Sequence, residues 1–144
     1  MTVARAAIMG RMPRFVLLFH DCPPSFGKPS HWDLMLERDG ALMTWSLTSL
    51  PPHWRQSFER DAAGNELLVL GAMRLPDHRL AYLDYEGPLS GDRGRVTRHD
   101  AGNYRIVDER ADSLQVQLEG VVVRGRVSLP TAPPLPAPDS QPPS

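Results

Sequence analysis

A single cysteine, Cys22, stands among the 144 residues. No intramolecular disulfide can form, so packing alone must hold the fold, and a reducing, cytoplasmic setting suits it. Lysine is nearly absent too: Lys28 is alone, and arginine supplies the other fifteen of the sixteen basic side chains. Against seventeen acidic residues this gives a net charge of −1. Strong non-specific attraction to nucleic acid, which needs a large basic excess, is excluded, although a small local basic site is not. The arginine bias reads first as genome composition and second as a preference for the planar fork that grips phosphate. No run approaches 18 apolar residues, which excludes a membrane-spanning helix, and no membrane partner is expected. The first twelve residues carry Arg5 and Arg11 but lack the apolar stretch of a signal peptide. There is no P-loop, dinucleotide fingerprint, paired-cysteine motif or nucleophile elbow.

What is present is a one-domain length built from short strands and turn signals. Arg14 to His20 is an apolar, β-rich run, and Asp21 to Ser30, with three prolines and a glycine, must be loop. His31 to Arg38 and Ala41 to Thr48 alternate around Asp39-Gly40, the strongest short hairpin signal. Pro51-Pro52 breaks the chain before one or two helical turns in His53 to Arg60. Strands are expected over Glu66 to Arg74 and Leu80 to Glu86. Arg95 to His99 and Asn103 to Glu109 should form a hairpin around Asp100-Ala101-Gly102, and Ser113 to Glu119 and Val121 to Leu129 flank Gly120. Nine such segments spaced 8–12 residues apart predict an all-β barrel or sandwich with little helix. Residues 1–13 read as a flexible arm and 14–129 as the domain. In 130–144 seven of fifteen residues are proline, so that tail is expected to be disordered or polyproline II.

The polar residues with chemistry cluster in and around the second strand. Side chains alternate along a strand, so His31, Asp33, Met35 and Glu37 share one face and Trp32, Leu34 and Leu36 the other. The second set is a core face. The first puts an imidazole and a carboxylate roughly 7 Å apart along the backbone, where both can lean onto one ion. It is expected to open, with Met35, on a groove. His20, alone at a strand end, reads equally as a solvated residue. Together with His31 and Asp33 it makes a facial donor set suited to Mn²⁺ or Zn²⁺ more than to Ca²⁺. Cys22 is either a fourth, soft ligand or a small loop residue, and the lack of a second thiol favours the latter. His78, four residues before Tyr82, reads as part of a polar pocket or of a solvated sheet face. Arg93, Arg95 and Arg98 form the local basic cluster, either a phosphate contact or a charged strand edge. His53 has no partner in sequence and reads as structural.

These residues carry a resemblance. His20, the run His31-Trp32-Asp33-Leu34-Met35-Leu36-Glu37, Asp39-Gly40, Trp45, Pro76-Asp77-His78, Tyr82, Asp84-Tyr85-Glu86-Gly87, Leu118-Glu119-Gly120 and Gly125 follow one another as in the 3′-phosphoesterase domain of bacterial DNA ligase D. That family shows a lone His, then His-Tyr-Asp-Phe-Arg-Leu-Glu with a following Asp-Gly, then Asp-His-Pro-Leu-Glu-Tyr leading into Asp-Phe-Glu-Gly. The resemblance spans Arg14 to Leu129 and implies a small closed antiparallel β-barrel with the site in a groove on it. It implies that His20, His31 and Asp33 hold a divalent metal, Mn²⁺ before Zn²⁺, and that His78 with Tyr82 serves the scissile phosphate. The implied activity is trimming of nucleic-acid 3′ ends in DNA end repair: removal of a 3′-ribonucleoside, then of the 3′-phosphate. Any DNA ligase or polymerase partner would act in trans. Two departures bear on this. Met35 stands where the family has an arginine, and Gly91-Asp92-Arg93-Gly94-Arg95 replaces a glycine-rich segment, returning guanidinium groups from another direction. The alternative is a catalytically weakened relative that binds nucleic-acid ends or a repair partner.

Overall fold

The computed structural model describes residues 12–54 and 67–132, apart from the side chain of His53. Arm residues 1–11, tail residues 133–144 and the expected helical turn beyond Trp54 lie outside them. Nine strands form one sheet: β1 (Arg14–Asp21), β2 (His31–Arg38), β3 (Ala41–Leu47), β4 (Leu67–Val69), β5 (Ala72–His78), β6 (Gly87–Pro88), β7 (Arg95–Glu109), β8 (Ser113–Gly120) and β9 (Arg124–Pro130). Three short 3₁₀ turns, Pro24–Phe26, Pro52–Trp54 and Leu80–Leu83, are the only helical pieces among the described residues. None of these is long and apolar enough to cross a membrane.

The sheet order is β4-β9-β8-β7-β1-β2-β3-β5, with β6 hung on β7. This corrects the expectation of a closed antiparallel barrel. The sheet is open, because β4 lies parallel on β9 and takes the edge that β5 would need for closure. The β2–β3 turn is as the sequence predicts: Asp39 (φ 54°) and Gly40 (φ 82°) both sit left-handed, the type I′ geometry that fits strand twist. β1 lies between β2 and β7 and is buried on both faces. Phe15 and Leu17 join Leu34, Leu36, Trp45, Leu47, Tyr104 and the β8–β9 residues in the main core. Val16 and Leu18 join Met35, Leu42, Leu83 and Val96 in a smaller apolar cluster on the other face.

Three segments depart from the sequence reading. Asp100-Ala101-Gly102 is not a hairpin but part of the fifteen-residue β7. Asp100 turns inward and accepts the N–H groups of Val121, Val122 and Val123, and a Cβ on Gly102 would lie 2.3 Å from the Glu119 carbonyl. The Asp and Gly thus serve a loop anchor and a close strand approach. Leu80 to Glu86 is not a strand: Leu80–Leu83 forms a 3₁₀ turn with Leu83 its one buried residue, and the N–H groups of Tyr82 and Asp84 close onto the Arg79 and Ala81 carbonyls. The expected strand from Glu66 to Arg74 breaks at Leu70-Gly71 into β4 and the start of β5. At the ends, the Tyr104 N–H donates to the Pro13 carbonyl and Pro130 closes β9.

Candidate metal centre

The polar cluster is made by register. His20 and His31 are directly paired across β1 and β2, and Leu18 is paired with Asp33. On the other side of β1, Val96 faces His20 and Arg98 faces Leu18. Hence Val96–His20–His31 and Arg98–Leu18–Asp33 are neighbouring cross-strand rows on the face of the smaller apolar cluster. The Pro-rich loop sets this pairing. The Cys22 N–H donates to Ser30 Oγ at 2.9 Å, the Ser30 hydroxyl donates to Asp21 Oδ1 at 3.2 Å, and Gly27 ends the 3₁₀ turn at φ 85°.

Each imidazole is oriented by a main-chain carbonyl. His20 Nε2 lies 2.6 Å from the Arg93 oxygen and His31 Nδ1 lies 3.0 Å from the Pro29 oxygen. A carbonyl can only accept, so these nitrogens carry the protons. The opposite nitrogens then present lone pairs to Asp33: His20 Nδ1 is 3.9 Å from Oδ2 and His31 Nε2 is 3.3 Å from Oδ1. All three side chains are buried, with Asp33 5% exposed, and its Oδ1 accepts no hydrogen bond. Acceptors facing acceptors in a buried site call for a positive charge between them. Without a cation, a proton on His31 would take that place. Hydrogen bonding to Asp33 raises the His31 pKa above its ordinary value, with burial opposing and the Pro29 carbonyl assisting. Such a set could hold a cation, its imidazoles anchored by carbonyls in the way that metal ligands are commonly fixed.

Cys22 enters from the same side. His20, Cys22 and His31 can each offer an atom within 4.8 Å of the others, a group able to hold a metal ion. The thiol lies 4.0 Å from His31 Nδ1, the nitrogen that already faces Pro29, and burial raises its pKa. The Asp33 set presents free lone pairs; the Cys22 set, if it used His31 Nδ1, would give up that nitrogen's hydrogen bond to Pro29.

The remaining sequence candidates are spread around this cluster. His78 closes β5 opposite Leu42, two strands from β2. Its Nδ1 lies 2.9 Å from the Pro76 oxygen, and its ring meets Tyr82 edge-on at 5.8 Å. Tyr82 packs on the smaller apolar cluster. Met35 is part of that floor at 1% exposure, so the expected open groove beside it is instead a covered apolar patch closed by Leu83. Arg98 lies on the cluster's face and donates to the Leu83 carbonyl at 3.3 Å. Arg93 is exposed, donating to the Ser90 carbonyl and hydroxyl at 2.7 and 3.1 Å. Arg95, opposite Asp21, lines a cavity of about 430 Å³ with Cys22 and Pro23. Sequence reasoning missed the two orienting carbonyls, since main-chain acceptors leave no trace in residue type. It also missed Arg79 and Tyr85, which with Tyr82 and Arg93 line a second cavity of about 300 Å³.

Fold and cluster together define an all-β domain with a candidate divalent-metal centre on one sheet face. The model of the DNA ligase D 3′-phosphoesterase domain matches residues 25–130, well over half of the chain, and the chain belongs to that family. His20 and Cys22 precede the matched segment. No curated protein matches the chain.

Proposed function

We propose that the chain is a divalent-metal-dependent phosphoesterase acting on nucleic-acid 3′ ends in DNA end repair, with His20, His31 and Asp33 as the metal ligands. Family membership supports the reaction class. One observation carries the site: buried, unpartnered Asp33 Oδ1 faces an imidazole whose other nitrogen is locked to a carbonyl. Two imidazoles and a carboxylate suit Mn²⁺ or Zn²⁺ more than Ca²⁺, and the family resemblance puts Mn²⁺ first. When bound, such a cation supplies Lewis-acid charge to a phosphate oxygen. His20 and His31 would orient the site through their carbonyl anchors, and Asp33 would balance its charge. His78, its Nδ1 proton held by Pro76, would donate from Nε2 to a phosphate oxygen as the imidazolium, with the Tyr82 ring edge against it. Arg93 and Arg95, on either side of Gly94, and Arg98 on the sheet face supply guanidinium groups for the phosphates of the strand.

A weakened, end-binding relative is favoured by one feature: Met35, buried in the apolar floor, stands where the family's arginine does. Losing one such donor costs on the order of 10²–10³ in rate. Phosphate release from a 3′-phosphorylated oligonucleotide with Mn²⁺, set beside binding of the same oligonucleotide, separates the two. Release that is abolished in His31→Ala is expected. Tight binding without release in the wild type would establish the end-binding alternative.

A further inference from the structure

The cavity of about 300 Å³ that shares Arg93 with the candidate centre is lined in part by Tyr82 and Leu89, which pack on the smaller apolar cluster, and in part by Tyr85, Arg79 and Arg93, which lie outside it. Tyr82, Tyr85, Pro88 and Leu89 give it flat and apolar walls, and Arg79 and Arg93 give it two cations. Tyr85 is the unusual member. It is 36% exposed, yet its ring is held in place, because its hydroxyl donates to the Pro88 carbonyl across the turn at Gly87. Gly87 sits at φ 139°, and a Cβ there would lie 3.0 Å from the Tyr85 oxygen, so the glycine makes room for this arrangement. The Tyr85 ring stands edge-on to Tyr82 at 6.1 Å and 83°, and Tyr82 in turn meets His78. An aromatic ring fixed but left in water gives up side-chain freedom without gaining full burial. A pre-oriented stacking surface recovers that cost when a planar ligand covers it.

The position of the cavity says which ligand. Arg93 belongs to both places: its carbonyl orients His20, and its side chain lines the cavity, held by Ser90. Arg93 thus links the cavity that Tyr85 lines to the candidate centre. We infer that this cavity receives the base of the nucleotide at the 3′ end, stacked on Tyr85, with Arg79 and Arg93 beside its phosphates. The inference rests on the proposed 3′-end reading. Its walls offer ring faces and guanidinium groups rather than a fixed set of acceptors, so recognition is by the π-face and tolerant of base identity.

The test uses the full metal-loaded chain and two 3′-phosphorylated oligonucleotides, one ending in a normal nucleotide and one ending in an abasic residue. KM for phosphate release is measured on both, and Kd on the corresponding 3′-hydroxyl products. Tyr85→Ala is expected to raise KM and Kd for the normal end by roughly 5- to 100-fold, the range that base–aromatic stacking commands, and to leave the abasic end unchanged. Tyr85→Phe, which keeps the ring face, should retain most of the affinity for the normal end. Tyr85→Ala matching wild type on both ends, or losing equally on both, would overturn the stacking site while leaving the 3′-end reading intact. A wild-type chain that neither trims nor binds either end would overturn both.

Discussion

Gly94→Ala gives a sharp way to disturb the candidate centre without touching a ligand. Gly94 lies in the loop at φ 94°, and a Cβ there would sit 1.9 Å from the Asp21 carbonyl oxygen and 3.0 Å from Pro23 Cδ. Ordinary Cβ contacts begin at 3.4 Å, so the loop must retreat from β1 by about 1 Å or more. The neighbouring Arg93 carbonyl moves with it, and its 2.6 Å bond to His20 Nε2 stretches past the hydrogen-bonding range. His20 then loses both its tautomer and its ring orientation. Loss of a group that orients a metal ligand typically lowers metal affinity about 10- to 100-fold, which is the expected fall in Mn²⁺ affinity by titration calorimetry. Gly91→Ala is the control. Gly91 also has a positive φ, 72°, but nothing lies within 4 Å of its Cβ position, so that variant carries the backbone strain without the displacement. Its Mn²⁺ affinity should stay within about threefold of wild type, well under the effect of a lost orienting partner. Equal affinities for Gly94→Ala and wild type would refute the role given to the Arg93 carbonyl.

The raised His31 pKa gives opposite pH trends with and without metal. In the metal-free protein the charged His31–Asp33 contact stabilises the fold fully below the unfolded histidine value of about 6.5, and that contribution is lost as pH rises through the higher folded value. Mn²⁺ needs the same nitrogen deprotonated, so the Tm increase on adding Mn²⁺ should grow over that same rise; an increase independent of pH would exclude His31 as a ligand. Met35→Arg would place a guanidinium among Val16, Leu18, Leu42 and Leu83, so Tm should drop by several degrees, corresponding to a cost of about 1–3 kcal/mol, without a gain in phosphate release. A tenfold rise in release at unchanged Tm would show that this face opens, as the sequence alone suggests.

The sequence carried strand positions well where local chemistry and tertiary use agreed. The hairpin at Asp39-Gly40 is the clearest case, and the alternation in β2 placed Leu34 and Leu36 in the main core and His31 with Asp33 on the other face. It misled where one residue type serves two ends. Asp100 and Gly102 carry a turn signature, but the carboxylate anchors a distant loop and the missing side chain admits Glu119. Burial of the second face was illegible because its cover, Leu83, comes from a segment whose polar alternation imitates a strand. Closure of the sheet was likewise undecidable from composition, since it depends on which strand occupies the outer edge of β9. In the site, the ligand types and their spacing were visible. What holds them was not: the Arg93 and Pro29 carbonyls act through main-chain atoms that every residue possesses.

In the proposed centre it is Asp33, rather than Cys22, that joins His20 and His31. Titration calorimetry with Mn²⁺ near neutral pH on wild type, Asp33→Asn and Cys22→Ser tests it in one measurement. One ion per chain is expected in wild type, with affinity lower by at least about 100-fold in Asp33→Asn and changed by less than about threefold in Cys22→Ser. Full affinity in Asp33→Asn with its loss in Cys22→Ser would rule Asp33 out and assign the ion to the His20, Cys22 and His31 set instead.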